Sequence, residues 1–331
     1  MTRGTTGGSG LGRRAALGLT LAAPVIARAQ GTAPDGPIRL IVPYPPGGPA
    51  DLFARLIARP MSERLGQPVV ADNRTGASGI LGLEAMARAR PDGQTLCLTS
   101  IGALVLQPYT VARLPYDVGR DVLGVANAVG VQQVLAVGRK LPVSSVAELV
   151  DHAKRNPGKV SFGSAGVGGL THLAGELFGL RAGIDITHVP YRGAAPAVND
   201  LVAGQLDMVT LDLPGVLPTV GQNGVRALAV LTRERSVALP DVPTIVEAGL
   251  PGAVNENSYP LLAPAGTPPD RVERIRTALN AALAEESVRK TLLEQGAVPL
   301  GGSGEALAEI VRRESAKWAE VVRTLGRERF E

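Results

Sequence analysis

One local pattern occurs twice in this chain and restricts the possible folds more than any other feature of the sequence. In it, a short apolar run leads through a glycine-rich turn into an amphipathic helix. The first copy joins the run at residues 38–44 to a helix predicted over 50–65, through a Pro-Pro-Gly-Gly turn. The second joins the run at 160–164 to a helix predicted over 170–181, through a turn with three glycines. Strands that alternate with helices in this way predict a doubly wound, mostly parallel sheet with right-handed crossovers.

Further units of the same kind follow along the chain of 331 residues. The remaining strands are predicted at 69–72, 95–99, 187–191, 208–211, 227–231 and 258–263. The remaining helices are predicted at 80–89, 146–156, 269–283 and 304–325. Pro60 should kink the first helix or end its first half. The pattern predicts two α/β lobes, one formed by residues 35–133 with 256–331 and the other by 134–255.

The N-terminal segment has the composition of an export signal. It contains the pair Arg13-Arg14, a weakly apolar run, and then Ala27-Arg28-Ala29. This order predicts a leader over residues 1–29 that is cleaved after Ala29. The paired arginines favour the twin-arginine route over the general secretory one. We therefore expect the protein to work outside the cytoplasm.

The basic charge of the chain comes from this leader. The whole sequence has 34 basic and 30 acidic residues, and residues 1–29 contribute four arginines and no acid. The remaining chain is therefore formally neutral. Aromatic residues make up only 3% of the sequence, so a surface for stacking bases is not expected either. We therefore do not expect the protein to bind nucleic acid.

The two glycine-rich turns are the predicted binding elements. Each stands at a helix N-terminus, where unpaired backbone N–H groups and the positive end of the helix dipole suit an anion. Two turns, one in each lobe, could hold a carboxylate from opposite sides of a cleft. A tight connection without a ligand is the alternative for each turn alone. Neither turn has the spacing of a nucleotide-binding motif.

A reaction centre is not recognisable in the sequence. The histidines are His152, His172 and His188, and their spacing matches no metal motif; the single cysteine is Cys97. No nucleophile elbow is present. Asp51 is expected to cap a helix. We therefore predict no catalytic residue, no metal and no cofactor.

Nine stretches of the chain resemble, in order, the Bug family, the TctC-like substrate-binding receptors of tripartite tricarboxylate transporters. Together they cover the whole chain after the leader. The stretches are 42–51, 72–77, 91–96, 114–117, 163–179, 189–194, 226–230, 239–252 and 262–268.

This resemblance implies a two-lobe type II periplasmic binding protein, with the C-terminus packed on the first lobe. We expect the hinge near residues 129–137 and 252–259. The resemblance further implies a monomer in the periplasm that captures a small carboxylate and delivers it to membrane permease subunits. A receptor for a membrane sensor kinase and, less favoured, an exported hydrolase are the alternatives.

The family's binding residues carry over to both glycine-rich turns and to several neighbouring positions. Tyr259 departs from the family pattern, which usually has Trp there. The residues implied to bind the ligand, largely through backbone amides and bridging waters, are Tyr44, Gly47, Gly48, Ser78, Ser100, Ser164, Gly166, Gly169, Thr171, His172, Ala195 and Asp212.

Overall fold

A computed structural model describes residue 1 and residues 36–330 of the chain. Apart from residue 1, the predicted leader and its cleavage position lie outside the described residues. The described part contains two mixed β-sheets with helices packed on their faces, which confirms the predicted α/β class. None of its helices is both long and apolar enough to cross a membrane.

The first sheet has six strands in the order β11-β4-β10-β3-β1-β2. Strand β1 is parallel to β2 and β3, whereas β10 is antiparallel to β3 and β4, and β11 is antiparallel to β4. The strands are β1 (Ile38–Val42), β2 (Val69–Asn73), β3 (Thr95–Leu98), β4 (Val122–Val131), β10 (Asn257–Pro264) and β11 (Ala297–Gly301).

The second sheet has five strands in the order β7-β6-β8-β5-β9. Strand β6 is parallel to β7 and β8, and β5 is antiparallel to β8 and β9. The strands are β5 (Gln133–Val137), β6 (Val160–Ser164), β7 (Ile186–Pro190), β8 (Met208–Asp212) and β9 (Arg226–Val230).

Helices connect most of these strands. The longer ones are α1 (Pro49–Leu65), α2 (Ile80–Ala87), α6 (Val146–Arg155), α7 (Leu170–Ala182), α8 (Ala194–Ala203), α10 (Pro269–Leu283), α11 (Glu286–Glu294) and α12 (Gly304–Leu325). The single-turn ones are α3 (Gly102–Val105), α4 (Gln107–Thr110), α5 (Val118–Asp121) and α9 (Leu213–Val216).

Helix α1 runs through Pro60, so the prediction that the helix ends there is wrong, and the alternative prediction of a kink stays a prediction. The first residue of the helix is Pro49. The N–H that proline lacks would have no partner at this position, so its absence costs nothing. The helix is ended by Gly66, which adopts the left-handed conformation. Phe53, Ile57 and other apolar residues of one face are fully buried against the first sheet. Pro60 has no backbone N–H, so one hydrogen bond within the helix is missing. The burial of the apolar face stabilises the helix despite this loss.

The chain passes between the two sheets twice. Strand β4 of the first sheet leads directly into β5 of the second, and residues 231–256 return from β9 to β10. Both passages fall within or next to the segments predicted as the hinge. The division into lobes at residues 133 and 256 stays a prediction.

Helix α7 is buried on both sides. Leu173 and Leu177 pack in an apolar cluster with Leu104 of α3 and Trp318 of the C-terminal helix α12. Phe178 lies in another cluster with residues of the second sheet. The helix that begins at the second glycine-rich turn therefore packs against helices α3 and α12 on one side and against the second sheet on the other.

Candidate functional site

A cavity of about 90 Å³ lies where strands of both sheets end. Its walls come from the turns after β1, β2 and β3 of the first sheet and from the ends of β6, β7 and β8 of the second. Ligands of open α/β sheets bind outside the carboxyl ends of the strands. This cavity is therefore the candidate site.

Most of the predicted binding residues line this cavity, although their contact with a ligand stays a prediction. Those on its wall are Tyr44, Gly48, Ser78, Ser100, Gly166, Gly169, Thr171, Ala195 and Asp212. Gly47, Ser164 and His172 are not on the wall, and for them too contact with a ligand stays a prediction.

Gly47 is an exposed turn residue. Its φ of +79° is in the left-handed region, and its N–H donates to the Asp51 carboxylate at 3.0 Å. The same carboxylate accepts hydrogen bonds from Arg55 and Asn73, each at 3.0 Å. Burial alone would raise the pKa of Asp51, but the hydrogen bonds from Arg55, Gly47 and Asn73 outweigh it and lower the pKa. The hydrogen bond between Gly47 and Asp51 thus fixes the turn.

Ser164 and His172 support the second turn from behind. Both side chains are fully buried. The Ser164 hydroxyl shares a 2.7 Å hydrogen bond with His188 Nε2, and the His172 ring stacks on the His188 ring at a centroid distance of 3.6 Å. The N–H of Gly168 donates to His172 Nδ1 at 3.2 Å. These contacts hold the backbone that carries Gly166 to Gly169.

His188 is expected to make the stability of the fold sensitive to acid. Burial, reinforced by His172, lowers the pKa of His188 to about 3. The unfolded chain, with a histidine pKa of about 6.5, therefore binds the proton first as the pH falls. We expect the free energy of unfolding to decrease between pH 6.5 and pH 3. Urea denaturation at pH 7 and pH 5 should show a smaller decrease in His188→Gln than in the wild type. The control His152→Gln should keep the wild-type decrease, and an unchanged decrease in His188→Gln would contradict the prediction.

Three helix N-termini converge on the cavity. Helices α1, α7 and α8 begin after Gly48, Gly169 and Gly193, and their first residues line the wall. The first N–H groups of a helix have no partner within it. They also carry the positive end of the helix dipole. The convergence gives the cavity hydrogen-bond donors and positive potential without a cluster of basic side chains.

Among the first residues of α8, only Ala195 is predicted from the sequence to bind the ligand. Arg192, directly before the Gly193 cap, is the one basic residue among the described residues that line the cavity. Arg74, in the turn after β2, forms an ion pair with Asp72 at 2.8 Å. A Gly-Ala-Ala-Pro start after a predicted strand was the available signal for α8.

A buried polar network forms the floor of the cavity. Asp212, at the end of β8, accepts hydrogen bonds from Gln133 at 2.9 Å, from Asn257 at 3.0 Å and from the Tyr259 hydroxyl at 2.5 Å. The Ser100 hydroxyl extends the network by donating to Asn257 at 2.9 Å. Since Asn257 and Tyr259 belong to β10, the network joins the second sheet to the first.

Asp212 has no cationic partner in this network. Burial raises its pKa, and the hydrogen bonds from Tyr259, Gln133 and Asn257 offset part of that effect. Burial together with the nearby Asp212 raises the pKa of Tyr259. The network therefore depends on hydrogen bonds rather than on an ion pair.

Tyr44 closes the first-sheet side of the floor. Its hydroxyl shares a 3.2 Å hydrogen bond with Thr99 and accepts the N–H of Ser100 at 3.3 Å. Burial raises the pKa of Tyr44 to about 12, so the hydroxyl keeps its proton. No group of three or more histidine, cysteine or acidic residues that could hold a metal occurs in the described part of the chain.

Comparison with known proteins assigns the chain to a family. A family model described as the tripartite tricarboxylate transporter family receptor matches residues 53–327. Protein BugT of Bordetella pertussis is 38% identical over 92% of this chain and 93% of its own.

Three solved structures share the fold over nearly their whole length. An R. palustris protein solved with adipate has a TM-score of 0.85 and 36% identity, covering 88% of this chain and 98% of its own. The periplasmic binding protein BugD has a TM-score of 0.83 and 31% identity, covering 89% and 99%. MatC from Rhodopseudomonas palustris, with bound malate, has a TM-score of 0.82 and 31% identity, covering 88% and 100%.

These matches confirm the resemblance found in the sequence and the two-lobe periplasmic binding protein fold that it implied. The chain belongs to the TctC family, the periplasmic solute-binding receptors of tripartite tricarboxylate transporters that include the Bug proteins.

Proposed function

We propose that this protein captures a small organic carboxylate in the cavity between its two lobes and delivers it to the permease subunits of a tripartite tricarboxylate-type transporter. The observation that carries the proposal is the convergence of the N-termini of α1, α7 and α8 on one cavity. Each N-terminus offers unpaired N–H groups that bind a carboxylate oxygen well.

The composition of the wall supports an anion with an apolar body. Polar side chains on the wall, apart from the helix N-termini and the floor network, are Ser78, Gln107 and Arg192. Much of the remaining wall is apolar: Pro45, Pro46, Pro49, Ala50, Ala103, Ala165, Leu170, Ala194, Pro196 and Leu211. A sugar, with hydroxyl groups on every side, would leave many of them unpaired against such a wall. Two related structures contain adipate and malate, which are both carboxylates with a short carbon chain.

Binding without turnover is part of the proposal. Ser164 and His188 form a serine–histidine hydrogen bond, but Ser164 is fully buried. A substrate in the cavity does not meet its hydroxyl, because Ser164 is not on the cavity wall. The pair holds the turn and is not proposed as a nucleophile and base.

The location and assembly complete the proposal. We propose that the leader directs the protein to the periplasm, is removed after Ala29, and leaves a monomer that begins at Gln30. Protein sequencing from the N-terminus of exported material tests the cleavage position, and residues upstream of Gly12 in that material would contradict it.

Titration calorimetry against adipate, malate and citrate tests the function. Adipamide, which replaces both carboxylates of adipate by neutral amides, is the matched control. We expect at least one of the acids to bind and adipamide to bind far more weakly, because the N–H groups and dipoles favour negative charge. The bound acid should also raise the melting temperature, since closed lobes complete its hydrogen bonds and it binds only the folded protein.

The acid should be recovered unchanged after long incubation. Equal binding of adipate and adipamide would contradict recognition of a carboxylate, and failure of every acid on the panel to bind would contradict the proposed substrate class. Conversion of the acid would establish an enzyme.

A further inference from the structure

The turn after β2 has an unusual backbone. Gly76, Ala77, Ser78 and Gly79 follow one another with φ values of +140°, +47°, +52° and +98°. Residues with a side chain rarely adopt this left-handed region, and such strain persists only where surrounding contacts impose it. Ala77 and Ser78 therefore need a reason for their conformation.

The contact made by Ser78 supplies that reason. Its hydroxyl donates to the carbonyl oxygen of Val167 at 2.5 Å. Ser78 belongs to the turn after β2 of the first sheet, whereas Val167 belongs to the glycine-rich turn after β6 of the second. Both turns border the cavity, so this hydrogen bond crosses the cleft beside the proposed ligand.

Two further features adapt the structure to this contact. A Cβ atom on Gly166 would lie 2.7 Å from the Ser78 hydroxyl oxygen, so only glycine permits the approach. On the other side, the Gln107 side chain donates to the Ser78 carbonyl at 2.8 Å, and the Tyr116 hydroxyl donates to Gln107 at 3.1 Å. Gln107 and Tyr116 are both buried. A buried chain of hydrogen bonds thus fixes the backbone that directs the Ser78 hydroxyl.

We propose that Ser78 is a positioning residue that latches the two lobes together across the cleft. Its left-handed backbone directs the hydroxyl at Val167, and the bond must break before the lobes separate. The latch holds the closed arrangement independently of the ligand and adds to the closure that the ligand drives. This inference rests on the proposed function, because a latch has a role only if the lobes open.

Hydrogen exchange of the ligand-free protein tests the latch. Opening would expose the surfaces on both sides of the cleft, namely the start of α7 in the second lobe and α3 in the first. Where exchange is limited by the opening equilibrium, its rate rises in proportion to the open population. Loss of one hydrogen bond should raise that population about fivefold. We therefore expect about fivefold faster exchange in peptides covering 169–174 and 102–106 of Ser78→Ala.

A second variant and a control make the test decisive. Ser78→Gly also lacks the hydroxyl but adopts the left-handed backbone without steric cost, so it folds even if Ser78→Ala does not. Ser287→Ala removes a hydroxyl at an exposed position of α11 and should leave exchange at both surfaces unchanged. Acceleration at both surfaces in the Ser78 variants supports the latch. Acceleration confined to residues 76–79, or none, would overturn it.

The test contains no ligand, and its outcome is therefore separate from that of the titrations. A protein that binds no acid on the panel can still show the accelerated exchange. Conversely, the wild type could bind an acid while both Ser78 variants exchange at the wild-type rate. This result would contradict the latch and leave the proposed function intact.

Discussion

The Gly169→Val variant is expected to lose about 2–3 kcal/mol or more of ligand-binding free energy while keeping its fold. Gly169 caps α7 in an extended conformation, with φ −93° and ψ 169°, which any residue adopts. A Cβ atom there would lie 3.6 Å from the Gly166 carbonyl oxygen, an ordinary contact. The valine side chain therefore fits the backbone but occupies the cavity and covers the N–H groups at the start of α7.

Titration calorimetry with the acid that binds the wild type best measures this effect. Circular dichroism and the melting temperature of the unliganded variant report on its fold. Gly36→Val is the matched control, because a Cβ atom on Gly36 meets no other atom within 4 Å. Wild-type affinity in a folded Gly169→Val protein would place the site elsewhere.

The Asp212→Ala variant is expected to lower the free energy of unfolding by about 3 kcal/mol. The change leaves the donors of Gln133, Asn257 and Tyr259 buried without their shared acceptor, and each unpaired buried group costs about 1–3 kcal/mol. Movement of neighbouring side chains relieves part of this cost, so we expect a total near the lower end of the range for three unpaired donors. In a domain of this size the melting temperature should fall by roughly 6–12 °C.

Urea denaturation and calorimetry of the unliganded protein measure the loss. Asp212→Asn keeps the shape and one acceptor oxygen, so its loss should be smaller. Asp185→Ala, at an exposed position, should change the free energy of unfolding by less than about 0.5 kcal/mol. Equal stabilities of Asp212→Ala and Asp185→Ala would show that the floor network contributes nothing.

The elements that the sequence predicted well are those with a local signal. Helix α1 was predicted over 50–65 and lies at Pro49–Leu65, and β6 was predicted at its observed bounds. Apolar residues at helical spacing, together with glycines at the ends, define such elements without reference to distant parts of the chain. The two glycine-rich turns belong to this group, and residues of both line the cavity.

The antiparallel strands β4 and β5 were missed. Residues 122–131 contain two glycines, two alanines and an asparagine among their valines, and this composition hides the strand pattern. Strand β4 is stabilised by pairing with β10, in which Asn257 faces Val131. A partner so distant in sequence leaves no local pattern, and the mixed character of the sheets followed only from the structure.

The roles of His172 and Tyr259 also depend on distant contacts. His172 stands at the start of a helix beside a glycine-rich turn, where a ligand contact was a reasonable prediction. Its ring instead stacks on His188, which belongs to the neighbouring strand β7. The Tyr259 hydroxyl reaches Asp212 only because the start of β10 in one sheet lies beside the end of β8 in the other. Contacts of this kind depend on how whole helices and strands pack, which a local sequence pattern does not show.

The order of the strands also determines when the site can exist during synthesis. All five strands of the second sheet lie between Gln133 and Val230, so this sheet is complete in one continuous stretch of chain. The first sheet has β10 between β4 and β3, so these two strands are not joined until residues 257–264 emerge from the ribosome. The three helix N-termini around the cavity are made well before its floor, which is complete only after Tyr259. A nascent chain shorter than this has the glycine-rich turns but lacks the complete floor of the cavity between them.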